Sequence, residues 1–410
     1  MLNEEKTTYS SYRWVIVGLL FSATMINYFD RLVLSVLIPE IKKSLSMNDL
    51  QYSYVIAVFQ IAYTLGSLAA GKFIDWAGTR LGYLLSIIVW SFAAAMHATA
   101  GSSWALAGWR GLLGISESGN FPAAMKAISE WFPKEERSFA TSLFNSGPSV
   151  AMIVGAPVIA GLALILGWRW AFLFMGLTGF VLAVLWPFLY KKPKEQKSSE
   201  GSVKETKYPW KKLLIHRETY GIMLGKALTD PVWWFYLFWL PSYLNSQRGF
   251  DLKGIAIAVP LIYIIAIIIG NFGGWLPVSL MKRGWPVTKA RKTVMFAAAI
   301  CLPVTSLAVT AQNVWVAVLL VSLACGAHSI WSHNIFAMVI DQFPHKAVGS
   351  VTGLGGFAGG IVGFFVSTIA VGYIVTYIGY IPIFILMGVL HPAAYLCVHF
   401  LIRRNTPVEI

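Results

Sequence analysis

Charge is what this chain lacks. Only 12% of its 410 residues are charged and 57% are hydrophobic. A soluble protein of this length needs charged surface over one or more domains, and the residues for it are missing. Acids are scarcer still, 18 against 32 Lys and Arg. An excess of base first suggests nucleic acid, yet the basic residues sit in short loops between apolar segments with no contiguous basic face. Nucleic acid is therefore not an expected partner. Cysteine is nearly absent: Cys301, Cys325 and Cys397 each lie in an apolar segment, at spacings that suit neither a metal site nor a disulfide framework. The histidines add no zinc spacing, since His328 and His333 are five apart, a poor fit to one helical face. No metal and no cofactor is expected. Residues 1–12 are polar, and the first apolar segment is longer than a signal-peptide core with no clear small-residue cleavage site. It reads as a retained first span.

What is present is apolar length. Runs of about 20 residues, enough to cross a bilayer as helix, fall near 14–38, 51–73, 80–99, 103–125, 139–164, 169–190, 220–245, 255–281, 292–311, 313–340, 348–376 and 378–402. No alternating ten-residue pattern suggests a barrel. The expected fold is therefore an all-α membrane protein of twelve transmembrane helices. The longest polar interruption, 191–217, divides it into a six-helix bundle at 1–190 and another at 218–410. With the N-terminus inside, the N-terminus, even-numbered loops and C-terminus hold 23 Lys and Arg against five in the odd-numbered loops. That asymmetry predicts both termini in the cytoplasm and a multi-pass protein of the plasma (inner) membrane.

The halves echo each other. Phe132-Pro133 matches Phe343-Pro344, and Thr141 matches Thr352, both 211 residues apart; GWRWAFLFMGL at 167–177 matches GYIPIFILMGV at 379–389 with an offset of 212. A duplicated six-span unit with pseudo-symmetric halves is a transporter architecture, with the substrate site near mid-membrane where the halves meet. Two motifs are decoys. GSLAAGKF at 66–73 approaches a phosphate-binding loop, but Phe73 offers no hydroxyl for magnesium and the stretch ends an apolar helix rather than following a strand. In VTGLGGFAGGIVG, Gly355, Gly359 and Gly363 are four apart, a helix face suited to close backbone packing.

The exceptions to apolarity carry the chemistry. An ionisable residue at mid-bilayer costs roughly 2.5–3.5 kcal/mol on insertion scales. Asp30 and Arg31 sit inside the first span, pointing about 100° apart, so each needs partners on other helices. Arg110 and Glu117 of the fourth span are seven apart, on one face. A carboxylate from the first span can sit against Arg110, with Arg31 near Glu117, and the four charges sum to zero. Two readings stand: a structural ion-pair cluster, or a transport pathway. In the seventh span, Lys226 and Asp230 are four apart, matching either an intrahelical pair or a role at the cavity. In the tenth, His328, Trp331 and Asn334 follow at successive threes, and His328 lies opposite Glu117 at the 211 offset. One half thus offers charge and the other hydrogen bonds and an aromatic plane, which suits an anion with a carboxylate at one end and hydroxyls at the other. His328 is equally readable as an ordinary buried histidine, and Tyr63 as an interface residue or a cavity aromatic. Asn145, ahead of Gly147-Pro148, is a candidate cavity donor.

These residues support a resemblance to the major facilitator superfamily along the whole chain. GKFIDWAGTR at 71–80 follows that family's loop 2–3 signature, which implies a cytoplasmic gate involving Asp75 and Arg80. The second half keeps the basic residues there but carries Val278 near the place of an acid. Within the superfamily, NYFDR, RGLLGISESGNFPAA and the Phe-Pro–basic loop resemble the anion:cation symporter family. GKALTDPVWWFYLFWLP and AHSIWSHNIF are similar to its hexuronate-transporter branch, which usually has a small residue where His333 stands. The resemblance implies a symporter, not an enzyme, coupling protons to import of glucuronate or galacturonate. Arg31 would hold the carboxylate; Asp30 and Glu117 would handle protons, with Arg110 tuning them; Tyr63, His328 and Trp331 would line the sugar pocket. Asn145, Lys226 and Asn334 join the expected substrate-binding set. Expected partners are a small carboxylate, protons and lipid, around a monomer. Another organic acid (an aldonate, aldarate or aromatic carboxylate) is the alternative cargo.

Overall fold

The computed structural model describes residues 11–133, 136–191, 210–404 and 408. Most of the 191–217 linker therefore lies outside the described residues. Everything described is helix, turn or irregular chain, with no strand among the described residues.

Helix α1 spans Arg13–Val36 and is followed by a short amphipathic helix, α2, Ile38–Leu45. Helix α3, Asp49–Met96, starts on a capping box formed by Asn48 and Gln51. It joins the second and third expected spans through a break at Gly78, whose φ of 75° and ψ of 158° reverse the chain. A side chain is strained at that φ, so glycine is the residue that lets one helix fold back on the next. The fourth span is two helices, α4 (Ser103–Glu117) and α5 (Asn120–Trp131), parted immediately after Glu117. The fifth is likewise α6 (Arg137–Asn145) and α7 (Gly147–Leu166), and α8 covers Trp168–Leu189. Beyond the short α9 (Trp210–Leu213) come α10 (Arg217–Arg248), α11 (Leu252–Lys282), α12 (Val287–Thr305) and α13 (Val314–Gln342). The eleventh span comprises α14 (His345–Gly363), a π-helical stretch Phe364–Ala370, and α15 (Val371–Tyr377); α16 covers Ile381–Leu401.

Helix thus overlies all twelve expected segments. By length and composition, nine helices among the described residues suffice to cross a membrane, one of them the folded-back α3. The segments missing from those nine are the fourth and seventh spans, which carry Arg110 with Glu117 and Lys226 with Asp230. Charge and helix breaks take them below the apolar threshold, and these are the helices that build the polar interior.

The first-half helices pack mainly on one another, as do the second-half helices, and the two sets meet where α7 lies on α11, α1 on α10, and α3 on the π stretch and α15. The Gly355/Gly359/Gly363 stripe works inside this arrangement. A Cβ on Gly359 would stand 2.0 Å from Asp230 Oδ2, and one on Gly363 would stand 2.5 Å from Gln60 Nε2. Small residues there let α14 and the start of the π stretch close on α10 and α3.

The contacts between halves are one-sided. Three hydrogen bonds join them among the described residues: Lys42 Nζ to Ser242 Oγ at 3.1 Å, Tyr52 Oη to the Phe238 carbonyl at 2.7 Å, and Gln60 Nε2 to the Gly360 carbonyl at 3.5 Å. Gly372 also lies so close to Ser53 that a Cβ would come within 2.1 Å of it. All lie at mid-depth or toward the end of α1 remote from Arg13. Toward the end where α1 begins, Leu65 and Leu68 are exposed, and a Cβ on Gly349, Gly353 or Gly356 would meet nothing within 4 Å. The halves are closed on the far side and part on the side of the N-terminus.

Candidate functional site

Arg31 and Glu117 form an ion pair, Nε to Oε2 at 2.7 Å, with side-chain exposures of 4% and 0%. The guanidinium is boxed by aromatic rings, 4.6 Å from Tyr63, 4.8 Å from Tyr28 and 5.4 Å from Phe59. Cation–π contact favours a delocalised, weakly hydrated cation here. Only one guanidinium edge is used by Glu117, and Glu117 Oε1 accepts no hydrogen bond among the described residues.

Asp30 and Arg110 are placed differently. Both are buried, and neither the Asp30 oxygens nor the Arg110 nitrogens have a hydrogen-bond partner among the described residues. The four charges nonetheless act on one another electrostatically. Leaving charged groups buried without partners costs several kcal/mol per ion in real proteins. That cost is relieved when an acid takes up a proton or an arginine gains an acceptor. Asn27, one turn before Asp30 and Arg31, is 1% exposed, and neither of its amide atoms has a hydrogen-bond partner among the described residues. Its i, i+3, i+4 relation to the two charges was visible in the sequence as a shared helix face, yet a lone Asn in an apolar run gives no charge signal.

The remaining residues divide. Tyr63 is half-buried and stacks on Phe59 as well as on Arg31. Asn145 is exposed at the break between α6 and α7. Lys226 pairs with Asp230 along α10 at 3.0 Å and lies 4.5 Å over the Phe336 ring. His328 stacks on Trp233 at 5.7 Å and bonds His391. Trp331 and Asn334 are not brought to open space: Trp331 is fully buried against His391, and Asn334 donates to the carbonyls of Gly273 and Ile330. Side chains three apart drift around a helix by about 60° per step, which carries Asn334 into the α13–α11 packing. Asp75 pairs with Lys126 at 3.1 Å, and Arg80 donates to the Pro187 carbonyl at 2.7 Å. Both bind within the first half, on the side where the halves part. Arg291, 211 residues after Arg80, pairs with Asp341 in the second half.

Comparison with known proteins accords with this architecture. The model of the Major Facilitator Superfamily matches residues 20–366. The hexuronate transporter of Escherichia coli (strain K12) is 28% identical over 97% of this chain and 96% of its own. The galacturonate transporter of Dickeya chrysanthemi is 32% identical over 66% of this chain and 83% of its own. A bacterial homolog of the human lysosomal transporter Spinster, crystallised inward-facing and unoccupied, superposes with a TM-score of 0.74 at 16% identity, covering 96% of each chain; at that identity the likeness concerns the fold. From the matched domain and the helical architecture together, the chain belongs to the major facilitator superfamily, among membrane transporters rather than enzymes.

Proposed function

We propose that this protein imports a hexuronate, glucuronate or galacturonate, together with protons, by alternating access across the plasma membrane. The observation that carries the proposal is the Arg31–Glu117 pair, buried beside an unpartnered Asp30 and an unpartnered Arg110. Arginine presents a planar fork that binds a carboxylate bidentately, and in Arg31 one carboxylate already occupies part of that fork. A proton on Glu117 weakens its hold, and the cargo carboxylate takes the place. Asp30 accepts a second proton or relaxes against Arg110. With one proton per cargo carboxylate the loaded site is neutral and can reorient; a second proton, on Asp30, leaves one positive charge, whose movement through the potential is worth about 2.3 kcal/mol per 100 mV.

In this reading residues 1–190 and 218–410 are the two rocking bundles, joined by the 191–217 linker. The Lys/Arg asymmetry supports termini in the cytoplasm, which makes the side where the halves part the cytoplasmic one and the present conformation inward-open. Asp75 and Arg80, engaged inside the first half here, are the groups available to latch that side when it closes. Tyr63 and His328 line the substrate space, Asn145 adds a donor at the fifth-span break, and Lys226 supplies positive charge from the second half.

The test is uptake of labelled galacturonate or glucuronate into proteoliposomes under an imposed pH gradient, with a competition panel of aldonates, aldarates and aromatic acids. Gradient-driven accumulation competed best by hexuronates supports the proposal. Accumulation indifferent to the pH gradient, or competed best by another acid, overturns the coupling or the cargo respectively.

A further inference from the structure

The second half holds a polar cluster that the exchange of partners does not explain. His391 comes from α16 and is fully buried. Its Nε2 lies 3.3 Å from Nδ1 of His328. The His391 ring meets His328 edge-on, centroids 5.4 Å apart at 81°, and Trp331 edge-on at 5.5 Å and 78°. His328 is held flat against Trp233 on its other face. The two outward nitrogens differ: His391 Nδ1 is sealed in the interior without a hydrogen-bond partner among the described residues, whereas His328 Nε2 has no hydrogen-bond partner among them either and is not sealed.

A hydrogen bond between two neutral imidazoles needs one N–H and one bare nitrogen, and each ring carries a single proton. Only two arrangements satisfy this. If His328 Nδ1 donates, His391 accepts at Nε2 and must carry its proton on Nδ1, which meets no acceptor among the described residues. If His391 Nε2 donates, its sealed Nδ1 is bare, and His328 carries its proton on Nε2. A sealed N–H without an acceptor forfeits its full hydration, and orphaned N–H groups are rarer in interiors than unfilled acceptors. The cluster already contains one orphan donor, the Trp331 indole N–H. A second proton on His328 would bring the orphan back, because Nδ1 would again have to donate.

We infer that His391 is a positioning residue that fixes His328 in the tautomer protonated at Nε2, so that His328 offers one N–H donor to an acceptor oxygen of the cargo. On the proposed function, that oxygen is a hydroxyl or ring oxygen of the sugar acid, at the end remote from the carboxylate held by Arg31. His391 touches no cargo; it decides whether the reading group donates or accepts.

The test uses the full chain in lipid bilayers with histidine labelled in nitrogen-15. Magnetic resonance separates bare from protonated ring nitrogens, and His328→Asn assigns the His328 signals. The expected spectrum shows His328 protonated at Nε2 and bare at Nδ1. His391→Gln, which keeps an N–H donor, retains it, whereas His391→Phe gives mixed tautomers and weakens galacturonate binding roughly three- to tenfold, the loss of one oriented hydrogen bond. Protonation of His328 at Nδ1 in the wild type overturns the inference, as does a Phe variant with unchanged tautomer and affinity. If the Phe variant does not fold, the wild-type spectrum decides alone. The expected spectrum in a protein that binds no sugar acid upholds the role of His391 and overturns the cargo assignment instead.

Discussion

Replacing Glu117 by Gln probes the proposed exchange with little change of shape. Gln keeps a carbonyl oxygen where Glu117 Oε2 accepts from Arg31 Nε at 2.7 Å, but removes the charge. Arg31 stays ionised, so its bond to Gln is still charge-assisted, at the low end of the about 1.5–3 kcal/mol for hydrogen bonds to charged groups, whereas the ion pair with the carboxylate sits toward the high end. An incoming carboxylate therefore has about 1–1.5 kcal/mol less to displace from Arg31 in the variant. That corresponds to galacturonate binding roughly five- to twelvefold tighter, in alkaline buffer where the wild-type acid is ionised. In acidic buffer, where wild-type Glu117 is already protonated, the two proteins converge. The sign follows: wild-type affinity falls as pH rises, because ionised Glu117 competes for the guanidinium, and the variant loses that part of the slope. Gradient-driven accumulation is lost with it. Titration of purified protein by intrinsic tryptophan fluorescence across pH measures both quantities. A variant that binds more weakly than wild type with the same pH slope refutes the reasoning and leaves the pair as structural glue.

Arg31→Lys removes both the Nε–H donor and the flat surface stacked by Tyr63 and Tyr28, and galacturonate affinity should fall by about tenfold or more; unchanged affinity would remove Arg31 from the carboxylate site. Gly359→Ala would place a Cβ 2.0 Å from Asp230 Oδ2, and overpacking of about 1–3 kcal/mol should lower the melting temperature. Gly356→Ala, which meets nothing within 4 Å, should leave it unchanged. Lys42→Ala removes the contacts to Asp49 and Ser242. Because the pair is partly exposed, its loss should shift the equilibrium by no more than about 1 kcal/mol toward the state open on the far side. Spin-label distances between the ends of α2 and α10 would register this as a growing long-distance population.

The spans were legible because bilayer length and hydropathy constrain helix in one dimension. The breaks within them were less so. Nothing in hydropathy marks the parting after Glu117, whereas the connection between the second and third spans was legible and narrows in the structure to a break at Gly78. The charges of the first and fourth spans were legible because they are costly in lipid and the seven-residue spacing of Arg110 and Glu117 fixes their face. Their pairing was only half settled by that reasoning: Arg31 meets Glu117, whereas Asp30 and Arg110 have no hydrogen-bond partner among the described residues. His391 was invisible, since its role depends on His328, 63 positions away on another helix. Lys42 and Ser242 were invisible for the same reason, being 200 positions apart. Trp331 and Asn334 were expected in the substrate-binding set, and the packing that draws their side chains into helix contacts is not legible from their spacing by threes.

The central claim is that cargo and proton bind together, the proton taking the acid that the cargo displaces from its arginine. Calorimetric titration of galacturonate into the purified protein, in buffers of equal pH but different ionisation enthalpy, counts the protons taken up on binding. The account predicts net uptake approaching one proton or more per bound anion, reduced in Glu117→Gln. Binding that takes up no protons in the wild type, at any pH where the cargo binds, contradicts it.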